Sequence, residues 1–179
     1  MSAQLPFQRP SDLRTERMIH DNTRTVADDR DAIATLIYAY AERLDAGDFE
    51  GLAQLFTHAT LRSNRRPDVR RGRAQALALY TSTVALYDGT PHTKHVITNV
   101  MIETDAPSAT ATARSYFTVL QARPELPLQI IIAGRYHDRF ARLDGTWWFT
   151  DRLIRVDLVG DLRFHLQRNP LPPRTESPT

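Results

Sequence analysis

Large apolar residues recur at positions 33, 36, 37, 40 and 44, the i, i+3, i+4, i+7 spacing of a helix with one buried face. Asp28 or Asp29 is placed to cap this helix, and Gly47 to stop it. Asp48 then caps a short second helix carrying Phe49, Leu52, Leu55 and Phe56. A short strand over 59–63 leads into a basic loop over 62–73. A third helix follows over about 74–87, with Leu77, Tyr80, Val84 and Tyr87 on one face. After the breaker Asp88-Gly89-Thr90-Pro91 the period changes to two. Segments 94–103, 109–121, 128–143 and 146–159 read as strands rich in Val, Ile, Thr and aromatics. Asp144-Gly145 between the last two is a two-residue hairpin signal. Long strands without helices between them predict an antiparallel sheet, and the early helices must cover one of its faces. The class is α+β. A curved sheet closed by helices encloses a conical pocket, a natural small-molecule site.

The ends differ from this body. Residues 1–26 read as an extended polar arm and 169–179 as a Pro-rich tail, leaving a domain over 27–168. The arm, broken by Pro6 and Pro10, carries no signal-peptide core, and no apolar run approaches the ~20 residues that span a bilayer. A cytoplasmic protein is expected. With 23 basic against 21 acidic residues, the charge calls for neither nucleic acid nor a membrane surface. The absence of cysteine excludes disulfides, thiolate metal sites and a cysteine nucleophile.

Candidate chemistry starts at Asp45. It lies four residues after Ala41 and eight after Ile37, so the helical period turns its carboxylate toward the buried side. A carboxylate there needs a partner. His95 opens the first long strand, and an Asp–His pair facing a cavity is a general acid/base. The spacing leaves a second reading open, a core histidine with Asp45 at a solvated helix end. Alternation puts His95, Ile97, Asn99 and Met101 on one face, a mixed surface suited to a pocket wall. Val96, Thr98, Val100 and Ile102 form a plain core face. Tyr40, on the inner stripe, is either a hydroxyl donor or a core filler. Arg152 alternates with Trp148, Thr150 and Ile154. It either meets a developing negative charge or points to solvent, with Arg155 as its substitute. Tyr136 and Asp138 share a face with Phe140, and Ser115 is a small polar wall candidate. His92 and His95 would point to opposite faces of a strand and have no carboxylate cluster, so no metal site is expected. The basic run from Arg62 to Arg73 lacks the interleaved aromatics of a nucleic-acid surface and the glycine spacing of a phosphate loop. It reads as a solvated loop or subunit contact. Histidines 20, 58, 137 and 165 show no shared spacing.

Three motifs in order carry a family resemblance over roughly residues 27–160. Leu44-Asp45-Ala46-Gly47-Asp48-Phe49 resembles the start of the SnoaL-like members of the NTF2-like superfamily. Thr93-Lys94-His95-Val96-Ile97-Thr98-Asn99 is similar to their central histidine strand. Gly134-Arg135-Tyr136-His137-Asp138-Arg139-Phe140, with Asp144-Gly145-Thr146-Trp147-Trp148-Phe149, resembles their closing hairpin. The resemblance implies a cystatin/NTF2-like α+β barrel, a curved antiparallel sheet on three N-terminal helices. It also implies a dimer or trimer. The pattern is similar to that of the family's cofactor-free lyases: scytalone dehydratase, bile-acid 7α-dehydratase and hexachlorocyclohexane dehydrochlorinase. Their dyad Asp and His then fall on Asp45 and His95. The bile-acid enzyme's pocket Tyr falls on Tyr40, and the dehydrochlorinase's pocket Arg on Arg152. Two positions depart from scytalone dehydratase: its second histidine is Ser115 here, and its Tyr beside the Asp is Leu44. The implied function is a cofactor-independent lyase or isomerase acting on a small hydrophobic cyclic molecule. Asn99, Ser115, Tyr136 and Asp138 would line the site. The rival implication is a non-catalytic β subunit of a ring-hydroxylating dioxygenase, or a ligand-binding module of the same fold.

Overall fold

A computed structural model of the chain describes residues 25–167. The expected arm and tail therefore lie outside the described residues, except for Thr25 and Val26. These two open helix α1 (Val26–Ala46). Thr25, not Asp28 or Asp29, is the cap. Its hydroxyl accepts from the Asp28 N–H at 3.1 Å, and the Asp28 carboxylate accepts from the Thr25 N–H at 2.7 Å. This reciprocal box satisfies two N–H groups that a helix start leaves open. Asp29 is instead buried, where its carboxylate accepts from Trp147 Nε1 at 2.7 Å. At the other end Gly47 takes φ 74°, a left-handed conformation that glycine adopts without a Cβ clash. The expected stripe faces inward: Ile33, Ile37, Tyr40 and Leu44 are buried, and Leu36 is half-buried against them.

Helix α2 (Phe49–Gln54) is capped by Asp48, whose carboxylate accepts from the Gly51 N–H at 2.8 Å. Strands β1 (Thr60–Ser63) and β2 (Arg66–Arg71) follow as an antiparallel pair. The segment read as a basic loop is therefore mostly a hairpin. Its charges hid the alternation, because β2 is an edge strand among the described residues, and edges are often protected by charge and proline. Pro67, Arg66, Arg70 and Arg71 serve that purpose here, while Arg62 ties the hairpin to Asp151 at 2.9 and 2.5 Å. Helix α3 (Gly72–Thr83) stops before the expected end, and Val84 is already extended. Ala76, Tyr80 and Val84 are buried, whereas Tyr87 lies in the following loop.

Strands β3 (Thr93–Asp105), β4 (Thr110–Arg123), β5 (Leu126–Leu143) and β6 (Thr146–Val159) complete a sheet in the order β2-β1-β6-β5-β4-β3. All neighbours are antiparallel except β1 and β6, which run parallel. Asp144 and Gly145 take φ 47° and 79°, the two positive values of the tight hairpin turn the sequence signals. Register shifts interrupt β3, β4, β5 and β6, and such bulges bend a sheet and increase its twist. Gly134 sits at one of them. A Cβ there would collide with the Arg155 carbonyl and the Phe117 ring. The resulting curve wraps the helices. Its inner face and α1, α2 and α3 share one core that includes Tyr40, Phe56, Phe117, Tyr136, Phe140 and Phe149.

Candidate active site

The last turn of α1 delivers Asp45 to β3, an edge strand among the described residues. An edge leaves backbone N–H groups open, and Asp45 Oδ2 accepts the His95 N–H at 2.7 Å. The Thr93 hydroxyl donates to Asp45 Oδ1 at 2.7 Å, and His95 Nδ1 lies 2.6 Å from the same oxygen. Three bonds therefore lock one carboxylate onto the start of β3. The side chains are 8% and 4% exposed for Asp45 and His95. Burial alone would raise the pKa of Asp45. The hydrogen bond and attraction from the His95 ring, then the His95 N–H and the Thr93 hydroxyl, outweigh burial and hold it below its ordinary value. An ionised Asp45 fixes the proton of a neutral imidazole on Nδ1 and leaves the lone pair on Nε2. This arrangement can accept a proton and stabilise the imidazolium that forms.

A second polar group occupies the inner face further along. Arg152 is fully buried and gives Nε and Nη2 to the Asp138 carboxylate at 2.8 and 2.7 Å. Its guanidinium carbon lies 4.1 Å from the Tyr40 ring centroid and 4.2 Å from that of Tyr136. The Tyr80 hydroxyl donates to that of Tyr40 at 3.2 Å. Burial pushes the phenols of Tyr80 and Tyr136 well above their usual range, so both remain donors at neutral pH. Burial also lifts the Asp138 carboxyl, with Arg152 opposing it. Ser115 faces inward as well, with its Oγ buried and without a hydrogen-bond partner among the described residues.

Of the residues singled out in the sequence, the structure brings Tyr40, Ser115, Tyr136, Asp138 and Arg152 to the inner face, apart from the Asp45–His95 pair. In the strand register His95 faces Val119, whereas Asp138 faces Ala113, six residues away along β4, which is about 20 Å of strand. Arg152 is held by Asp138 rather than offered to the space beside His95. Asn99 does not face inward. It takes φ 52° at the β3 bulge and is exposed beside Met101. The bulge inverts the alternation: His95 and Ile97 face inward before it, Val100 and Ile102 after it. Val96 and Thr98, expected in the core, are exposed. Arg155, the substitute for Arg152, is half-buried and pairs in register with Arg135. His92 precedes the strand, with its Nδ1 3.5 Å from Arg123 Nη1.

Sequence reasoning missed His165. It is 9% exposed, and its Nδ1 has no hydrogen-bond partner among the described residues. Burial, then the neighbouring His95, lower its pKa to about 4, against the opposing pull of Asp45. No linear spacing could have paired a histidine near the end of the chain with the dyad. Thr93 was legible: it lies two residues before His95, on the same face of the strand. A crevice of about 580 Å³ opens beside Asp45, lined by Glu42, Thr90, His92, Lys94 and Gln121 among others.

Comparison with known proteins gives the following. The SnoaL-like domain family matches residues 25–153. No curated protein matches the chain. A protein of unknown function with a cystatin-like fold from Nostoc punctiforme superposes with a TM-score of 0.62 at 22% identity, covering 74% of this chain and 93% of its own. A proposed scytalone dehydratase from Novosphingobium aromaticivorans gives 0.59 at 24%, covering 74% and 87%. The β subunit of a proposed aromatic-ring-hydroxylating dioxygenase from the same organism gives 0.61 at 20%, covering 79% and 98%. At these identities the likeness is one of fold.

Proposed function

Because the chain belongs to the SnoaL-like domain family, we propose that it is a cofactor-independent lyase or isomerase that uses His95 as base and Asp45 as its partner. The substrate class is a small hydrophobic ring compound with an acidic C–H beside a carbonyl. The observation that carries this reading is the 2.6 Å contact between His95 Nδ1 and an Asp45 carboxylate held ionised by its surroundings. Nε2 takes the proton, and the C–H electron pair moves into a new carbon–carbon double bond. In a dehydration the C–O bond to the leaving hydroxide breaks, and the imidazolium returns its proton to that oxygen as water forms. In an isomerisation the same proton returns to a second carbon. Ile97, Phe117 and Val119, which meet across β3 and β4 near His95, favour an apolar ring over a charged chain. Tyr40 and Arg152 are given no step, because Arg152 sits on Asp138 about 20 Å of strand from His95 and packs on the Tyr40 ring there.

The test follows α-hydrogen exchange of cyclic ketones such as α-tetralone in heavy water. Exchange is expected with the unaltered chain. Asp45→Asn is expected to reduce its rate by about a hundredfold or more, because an amide does not hold the Nδ1–H tautomer. Undiminished exchange by Asp45→Asn would remove Asp45 from the mechanism. A chain that exchanges no ketone and copurifies with a larger iron–sulfur protein would instead be a non-catalytic subunit.

A further inference from the structure

The segment after β6 returns across the start of β3 and is fastened on both sides of His165. The Phe164 carbonyl accepts from the Tyr87 hydroxyl at 2.9 Å and from Gln121 Nε2 at 3.1 Å. The His165 carbonyl accepts from the Ala85 N–H at 2.9 Å. Gln167 donates its side chain to the Thr81 and Val84 carbonyls at 2.8 and 2.7 Å, and its N–H to the Thr83 carbonyl at 2.9 Å. Gln121 pairs in register with Thr93, which in turn bonds Asp45. Two residues, Gln121 and Thr93, thus connect this strap to the dyad.

The strap buries His165 next to Phe164, whose carbonyl is bonded to Gln121 opposite Thr93. The position is costly for an imidazole. A buried polar atom without a partner gives up its hydrogen bond to water and gains none in return, and an apolar side chain would avoid that loss. Gln121 adds a second such atom, since its Nε2 is spent on the Pro91 and Phe164 carbonyls while Oε1 is buried and without a partner among the described residues. An imidazole nitrogen that can donate or accept and an acceptor oxygen, both buried and without a partner among the described residues, match the oxygen-bearing group of a bound molecule.

We propose that His165 is a third polar residue of the site, hydrogen-bonding through Nδ1 to the carbonyl or hydroxyl oxygen of the ring compound whose proton His95 removes. This rests on reading Asp45 and His95 as a proton-transfer centre. His165 orients the substrate oxygen, and Gln121 Oε1 accepts from a hydroxyl at the same end.

The test uses the full chain with isotope-labelled histidine and follows the ring nitrogens by NMR as α-tetralone or tetralin, the hydrocarbon of the same shape, is added. The ketone is expected to move the ring signals of both His95 and His165, and tetralin to leave His165 Nδ1 in place. His165→Asn, which offers a polar atom near the Nδ1 position, is expected to keep most of the ketone affinity. His165→Phe is expected to lose it by about tenfold. Ketone-induced shifts at His95 alone, or equal affinity of the two variants, would overturn the role of His165 and leave the dyad reading standing. Shifts at neither histidine would overturn both.

Discussion

His95→Gln is expected to lower kcat/KM for α-hydrogen exchange by about a hundred- to ten-thousand-fold, the usual worth of a positioned base. Glutamine keeps a polar group of similar reach but has no nitrogen lone pair to take a proton. The effect on folding should be far smaller. Asp45 loses one of its three bonds, the one at 2.6 Å to the ring, and keeps those from the His95 N–H and the Thr93 hydroxyl. Thermal unfolding measured on the same preparation separates the two effects. A variant that unfolds as the parent does but exchanges within threefold of it would refute the assignment of His95 as base. Asp45 has both jobs, which is why it is the poorer residue for this test: it closes the open edge of β3 as well as orienting the imidazole.

The second large effect concerns stability and centres on Arg152. Arg152→Leu is expected to cost about 3–5 kcal/mol, because it leaves the Asp138 carboxylate buried without its partner. Both side chains are almost wholly excluded from water, at 0% and 1% exposure. The guanidinium also packs within 4.6 Å of the ring centroids of Tyr40, Tyr136 and Phe149, contacts worth about 0.5–2 kcal/mol each when desolvated. The double variant Arg152→Leu/Asp138→Leu is expected to recover much of the loss, since removing both charges removes the unpaired one. Urea unfolding of the two singles and the double reads this as a coupling energy. Strictly additive losses would show that the pair does not act as a unit.

Arg152 also shows where linear reading stops. Counting by twos along β6 groups it with Trp148 and Thr150, yet it lies on the buried side with Trp147 and Phe149. Phe149 pairs with Phe140 and Asp151 with Arg139, so Thr150 is the extra residue of a bulge and inverts the parity after it. Asn99 does the same on β3. Alternation is reliable only between bulges, and nothing in Val-Ile-Thr-Asn or Phe-Thr-Asp marks a bulge beforehand. The signals that worked were local and strong. The helical stripe from Ile33 to Leu44, the Asp144-Gly145 turn and the bounds of β6 all appear as read. The phase of Asp45 on its helix also sufficed to turn it inward. What escaped depends on other parts of the chain: β2 is recognisable as strand only beside β1, the parallel pairing of β1 needs β6, and His165 belongs with His95 only because the strap returns there.

The parallel pairing of β1 with β6 bears on how the chain is made. Ribosomes deliver α1, α2, α3 and β1 first, but Thr60 and Leu61 find Asp151 and Arg152 only when the last strand has emerged. Asp29 on α1 likewise waits for Trp147, 118 residues later. Until then the apolar faces of the helices have no finished sheet to lie on, and contacts across such spans form slowly. His95 lies only 50 residues from Asp45. The dyad can therefore meet in a half-synthesised chain, whereas the buried floor around Arg152 needs nearly all of it. The nascent chain acquires its reactive pair before the walls that enclose it, and its exposure to chaperones and proteases lasts until β6 is complete.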